Sequence, residues 1–291
     1  MEQLRRVAVI GASGQLGTEL MKAIAAAGLE GVPLDQPNIE VTDPASVRRA
    51  LEAAKADLVI NTAAFHKVDQ CEKEPGLTAA VNCDGALNVA RACADTGAIC
   101  AFISTDYIFG GFGATPLTEA SVPSPLSVYG LTKALAERLV AEACPRHYIF
   151  RVSGLFGLAG AAGKGGNFID TVLKLSAERD QLAFINDMFT SVTYAVDAAR
   201  AMLEVGRRGL PFGTWQTVNA GAPSWYDVAS FVAASVKARA KIGTQPMENF
   251  AFGAPRPRYS VMSVEKLASH GIVMPFWQDA VQRYLKEKGV L

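Results

Sequence analysis

Short runs of apolar residues alternate with longer stretches whose apolar positions recur every three or four residues, and this alternation predicts the architecture. Arg6 to Ile10 is an apolar run that ends in a glycine-rich turn, and Thr18 to Ala27 then carries Leu20, Met21, Ile24 and Ala27 at helical spacing. Asp43-Pro44 reads as an N-cap followed by proline at the first helical position, opening a helix whose apolar face is Val47, Ala50, Leu51 and Ala54. Leu58 to Asn61, Ile99 to Ser104 and His147 to Val152 read as further buried strands, with helices over Ala79 to Thr96 and about Val128 to Ala143 between them. Strands that alternate with helices predict an α/β fold: a Rossmann-type, doubly wound parallel sheet that binds its ligands at the carboxyl ends of the strands.

The texture changes after Arg151. Gly157 to Gly166 is rich in glycine and alanine and reads as a mobile loop that could close over a substrate. Leu182 to Ile185 and Thr214 to Val218 are strand candidates, and another helix starts at Pro223-Ser224-Trp225. The division expected is a dinucleotide-binding domain over residues 1–152 and a smaller C-terminal substrate-binding lobe over 153–291, with segments around 187–221 returning to the first.

Composition narrows the function classes. Lys+Arg and Asp+Glu are both 28, which gives no electrostatic reason to expect nucleic acid or an anionic membrane as partner. No apolar stretch is long enough to span a bilayer, and the run after Arg5-Arg6 stops too soon for an export signal. Five cysteines without a Cys-x-x-Cys pair argue against a disulfide framework and a structural zinc site, and predict reduced thiols in a cytoplasmic protein. Three histidines without metal-ligand spacing predict no catalytic metal.

Gly11, Gly14 and Gly17 lie between the first strand and the first helix, where glycines let the backbone turn tightly and approach a pyrophosphate at the helix N-terminus. Asp35 follows at the distance where an acid accepts hydrogen bonds from the adenosine ribose. No basic residue lies between Lys22 and Arg48 to face a 2′-phosphate, so this region gives no positive reason for NADP over NAD. Tyr129 and Lys133 share a helix face one turn apart. A tyrosine there can pass its proton to an alkoxide as hydride reaches the carbonyl carbon, and a nearby ammonium favours the phenolate. Thr105, at the end of a strand, can reach the same crevice and hydrogen-bond the carbonyl oxygen. His66, just after Ala63-Ala64, is a candidate to face the pocket.

With Ser104-Thr105-Asp106-Tyr107-Ile108-Phe109, Tyr129-Gly130-Leu131-Thr132-Lys133, Asn61-Thr62-Ala63-Ala64, Val81-Asn82, Gly166-Asn167-Phe168 and Arg256-Pro257 in this order, the chain resembles the extended short-chain dehydrogenase/reductase superfamily. Within it the chain is similar to the dTDP-4-dehydrorhamnose reductase family. The resemblance implies reduction, by NADPH or NADH, of the C4 keto group of a dTDP-4-keto-6-deoxy-L-hexose, a nucleotide-sugar. It implies Thr105, Tyr129 and Lys133 as catalytic residues and cofactor contacts from Gly11, Ser13, Gly14, Gln15, Leu16, Gly17, Asp35, Glu40, Val41, Ala63, Ala64, Asn82, Ser104, Tyr129 and Lys133. His66, Thr105, Asp106, Tyr129, Ser153, Asn167 and Arg256 fall on the substrate side, where a guanidinium suits a diphosphate. Some members of this family form homodimers. Two stretches depart from its pattern. Gly154 stands where the family usually has tryptophan, and Asp187-Met188-Phe189-Thr190-Ser191-Val192-Thr193 where it reads Asp-Gln-x-Gly-x-Pro-Thr.

Two rival readings share the fold. A nucleotide-sugar dehydratase or epimerase typically carries an Asp-Glu pair after the threonine, whereas Tyr107 follows Asp106 here. A non-catalytic dinucleotide-binding subunit, like the regulatory β subunit of methionine adenosyltransferase, would not need the Thr-Tyr-Lys set.

Overall fold

The structure is a computed structural model that describes residues 4–159 and 166–291. The first half runs β1 (Arg6–Ile10), α1 (Gln15–Ala26), β2 (Glu30–Leu34), α2 (Pro44–Ala54), β3 (Leu58–Asn61), α3 (Val68–Lys73), α4 (Pro75–Ala79), α5 (Gly85–Thr96), β4 (Ile99–Thr105), α6 (Val128–Ala143) and β5 (His147–Val152). A π-helical turn at Ala80–Asp84 joins α4 to α5, and a 3-10 turn at Asp106–Ile108 follows β4. The second half continues with β6 (Leu155–Phe156), α7 (Phe168–Glu178), β7 (Gln181–Ile185), β8 (Phe189–Thr190), β9 (Thr193–Tyr194), α8 (Ala195–Arg207), β10 (Gly213–Gln216), α9 (Trp225–Ser235), β11 (Lys241–Gln245), β12 (Tyr259–Ser260), α10 (Glu265–Ser269) and α11 (Trp277–Glu287).

Six strands form one parallel sheet in the order β2-β1-β3-β4-β5-β10. Both of its faces are covered, which explains why β1 reads as an unbroken apolar run. Val7 and Val9 pack with Leu20, Ile24 and Met202 on one side, while Ala8 and Ile10 pack with Leu51, Val89 and Val140 on the other. The strand order reverses between β1 and β3, so the turns after them open a crevice at the carboxyl edge of the sheet. Pro33 sits in β2, the edge strand, where its missing N–H interrupts no ladder on the outer side.

Helix starts follow the local chemistry. Asp43 accepts from Ala45 N at 2.9 Å, with Pro44 at the first position of α2. Asn167 with Asp170, and Ser224 with Asp227, form reciprocal capping boxes on α7 and α9. The candidate strand at Leu182 to Ile185 is β7, which pairs with β11 in a separate two-stranded sheet. The candidate at Thr214 to Val218 is β10, the edge of the main sheet beside β5. Helix α8 also packs on α1 in the main core. A second apolar cluster around Phe156, Val172, Tyr194, Val228, Trp277 and Tyr284 supports the C-terminal part. Of the glycine- and alanine-rich stretch read as a mobile loop, residues 160–165 lie outside the described residues.

Candidate active site

The glycine turn after β1 and the first turn of α1 form one wall of the crevice. Gly14 is the N-cap of α1 and has no side chain to cap it, so the first-turn N–H groups remain for an anion. At Gly17 a Cβ would collide with the Gly11 carbonyl oxygen and crowd Ala12, so only glycine lets α1 pack this tightly on the turn. Asp35, beyond β2, accepts from Ser13 N at 3.1 Å and Ser13 Oγ at 3.0 Å. Glu40 accepts from the backbone and side chain of Thr42 and from Gln36, and these bonds hold its carboxyl below the usual range. Val41 is buried beside α5, with its carbonyl accepting from Asn88. Ala63 N is held by Asn61 Oδ1, and Asn82 bridges Phe65 to Thr132 on α6. Ser104 Oγ is buried without a protein partner, so it is a donor and acceptor still to be used. The glycine turn, the uncapped helix and this hydroxyl fit a dinucleotide.

Across the crevice, Ser127 caps α6 by accepting from Gly130 N at 3.2 Å. A Cβ at Gly130 would strike the Tyr107 carbonyl, and its absence brings the start of α6 against the turn after β4. Tyr129 thereby hydrogen-bonds Thr105, and its ring meets Tyr107 edge-on at 5.6 Å. Burial pushes the Tyr129 phenol well above its usual pKa; the Thr105 bond opposes this, and the Asp106 charge adds to it.

Lys133, one turn on, is buried, donates to Ile103 O at 2.5 Å and lies 3.8 Å over the Phe102 ring. Burial lowers its pKa to about 7, with Glu137 opposing. The sequence expectation of an ammonium that acidifies Tyr129 is corrected here. Burial dominates both groups, and the amine is spent on a strand carbonyl rather than on the phenol.

The substrate-side candidates divide. His66 Nδ1 lies 3.2 Å from the carbonyl of Ala64, two residues before it. Arg256 pairs with Asp69 at 2.7 Å between the rings of Tyr107 and Phe252, beside a cavity of about 640 Å³ also lined by Lys67, Gln70 and Lys73. Asn167 is buried, with its amide committed to the Asp170 backbone, Tyr284 Oη and Gly157 O. Gln15 Nε2 reaches the same Gly157 carbonyl at 3.4 Å. Asp106 and Ser153 lie buried among hydroxyls: Ser260 Oγ donates to Asp106 at 2.6 Å and Ser153 Oγ is 2.8 Å from Thr190 Oγ1. Sequence reasoning missed Thr190 as a partner of this cluster and Asp69 as the partner of Arg256. Both pairings join positions far apart in the chain, where spacing carries no signal.

Comparisons with known proteins place this geometry. A family model described as the RmlD substrate binding domain matches residues 5–290. The dTDP-4-dehydrorhamnose reductase of Shigella flexneri is 33% identical over 296 residues, 97% of each chain. The chain belongs to the dTDP-4-dehydrorhamnose reductase family. Another relative, the spore coat polysaccharide biosynthesis protein SpsK of Bacillus subtilis, is 34% identical over 285 residues, 98% of each chain. The crystal structure of dTDP-4-dehydrorhamnose reductase from Bacillus anthracis in complex with NADP superposes with a TM-score of 0.90 at 31% identity, over 99% of this chain and 100% of that one.

The two departures from the family pattern touch each other. Gly154 has φ +50°, and a Cβ there would sit 3.0 Å from Ser191 O and 3.2 Å from Val192 Cγ1. The altered 187–193 segment therefore occupies the space beside the missing tryptophan. Among the described residues no group of three or more His, Cys, Asp or Glu is placed to hold a metal, all five cysteines are buried and none is in a disulfide, and no helix is long and apolar enough to cross a membrane.

Proposed function

We propose that this chain reduces the C4 keto group of a dTDP-4-keto-6-deoxy-L-hexose, using NADPH or NADH, to give dTDP-L-rhamnose or a close relative. The observation that carries the reading is Tyr129 hydrogen-bonded to Thr105 in the crevice faced by the glycine turn. Nicotinamide, when bound, supplies the hydride. Tyr129 gives its proton to the oxygen that becomes the hydroxyl. A phenol held above its usual pKa stays protonated until that oxygen arrives, which suits a donor. Thr105 steadies the phenol, and Lys133 is assigned to the nicotinamide ribose, which would draw it from Ile103 O. Arg256, released from Asp69, is the diphosphate ligand of this reading, because a guanidinium donates two parallel hydrogen bonds to phosphate oxygens.

The sheet with β10 and α8 would then be the dinucleotide-binding part, and the elements around α7, α9 and α11 the substrate-binding part. A cytoplasmic location is in keeping with buried thiols that form no disulfide. The test is consumption of reduced nicotinamide, followed by absorbance, with purified protein and dTDP-4-keto-L-rhamnose. Turnover that falls by about 10²–10⁴-fold in Tyr129→Phe is expected. Wild-type protein that binds the dinucleotide and consumes none with this sugar refutes it.

A further inference from the structure

Hydroxyls from four separate stretches of chain converge on the buried carboxylate of Asp106. Ser260 Oγ donates to Oδ2 at 2.6 Å, Thr190 Oγ1 lies 3.3 Å from the same oxygen and 3.1 Å from Ser191 O, and Thr105 Oγ1 donates to Oδ1 at 3.2 Å. Ser153 completes the set, bonded to the carboxylate and to Thr190, and Ser260 Oγ is itself 3.1 Å from Thr190 Oγ1. These residues come from β8, β12 and the ends of β4 and β5, so both halves of the chain contribute.

An ionised carboxylate only accepts hydrogen bonds, and a hydroxyl has one proton to give. Thr105 Oγ1 receives Tyr107 N–H at 3.3 Å, and its own proton serves the Asp106 carboxylate or the oxygen of Tyr129, to which it is also hydrogen-bonded. We infer that Asp106 is a positioning residue: it holds the Thr105 hydroxyl beside Tyr129, where that hydroxyl serves the phenolate once Tyr129 has given its proton to the substrate oxygen.

This rests on the reductase reading and specifies its proton path. The phenol O–H bond breaks as an O–H bond forms on the substrate oxygen, whose carbon gains the hydride and its electron pair. The phenolate left behind then needs a donor. Thr105 can turn its proton from Oδ1 to the phenolate, because Ser260, Thr190 and Ser153 still hold the carboxylate. The outer hydroxyls thus let Asp106 release Thr105 without being left bare in a buried site. A carboxylate that instead gripped the sugar would act on KM.

The experiment is steady-state kinetics with dTDP-4-keto-L-rhamnose on wild type, Asp106→Asn, Thr190→Val and Thr190→Ser. Asparagine keeps the shape but presents an NH₂ to hydroxyls that need an acceptor. For Asp106→Asn, kcat should fall by about 30-fold or more with KM within about threefold, the pattern of an interaction that matters only in the transition state. Thr190→Val should lower kcat by about three- to tenfold, and Thr190→Ser, which keeps the hydroxyl, should stay within about twofold of wild type. A raised KM at unchanged kcat in Asp106→Asn would overturn the inference in favour of direct sugar contact. If Asp106→Asn does not fold, the Thr190 pair decides: a lower kcat in the valine variant alone supports it, and equal kcat overturns it. Absence of wild-type turnover sinks the reductase reading and this inference with it, whereas an active wild type with unaffected variants sinks the inference alone.

Discussion

Replacing Lys133 by methionine keeps the length of the side chain and removes the amine. Burial holds this amine at a pKa of about 7, against an ordinary 10.5. An unfolded chain keeps the lysine protonated to near its ordinary value, so between these two pH values the unfolded state binds more protons and stability rises with pH. Below the folded value both states are protonated, and the whole cost of burying the charge is present. The two values correspond to a cost of about 4 kcal/mol at pH 7 and about 2 kcal/mol at pH 9. Methionine leaves Ile103 O without its donor, at a cost of about 1 kcal/mol. Lys133→Met should therefore be more stable than wild type by about 3 kcal/mol at pH 7 and by about 1 kcal/mol at pH 9, while losing turnover. Urea denaturation of both proteins at the two pH values, without cofactor, measures this. Parallel pH responses, or a methionine variant less stable at pH 7, would refute the assignment of the slope to Lys133.

Arg151 and Glu137 form a buried bidentate pair, with Nε–Oε1 at 2.9 Å and Nη2–Oε2 at 2.7 Å, and Arg151 also donates to Glu119 O. Glu137→Ala should cost about 3–5 kcal/mol by leaving the guanidinium uncompensated, read as a lower urea midpoint; a loss under about 1 kcal/mol would contradict it. Asp35 places a carboxylate against the glycine turn, where it would repel a 2′-phosphate. Asp35→Ser should raise the NADPH-to-NADH ratio of kcat/KM by about tenfold, and an unchanged ratio would move Asp35 away from the adenosine ribose.

Much of the fold was legible because buried parallel strands and amphipathic helices leave different periodicities. β1, β3, β4 and β5 are short apolar runs, and α2 and α6 carry their caps in the sequence as Asp43-Pro44 and Ser127. The two-residue strands β6, β8, β9 and β12 were not, since a period cannot show in two residues. Gly31 and Pro33 break the β-branched texture of β2, which an edge position tolerates. The helix expected over Ala79 to Thr96 begins at Pro75 and passes through a π turn, a register change that hydrophobic spacing does not encode. Tyr129 and Lys133 could be paired from their spacing, but the destination of the lysine amine could not, because Ile103 belongs to another element. The hydroxyl cluster was hidden for the same reason, as Ser153, Thr190 and Ser260 are ordinary polar residues until three strand ends meet at Asp106.

The late arrival of β10 at the sheet bears on how a nascent chain acquires this structure. Five strands of the sheet have left the ribosome once β5 is made, yet the sixth follows only about 60 residues later, bringing the fully buried Trp215. During that interval Tyr148 to Arg151 present unpaired N–H and C=O groups along an open margin, a template for pairing with another chain. Vectorial synthesis therefore cannot complete the amino-terminal half first and append the rest. A fragment stopped at residue 152 should be sticky and prone to self-association, and one that includes β10 should not.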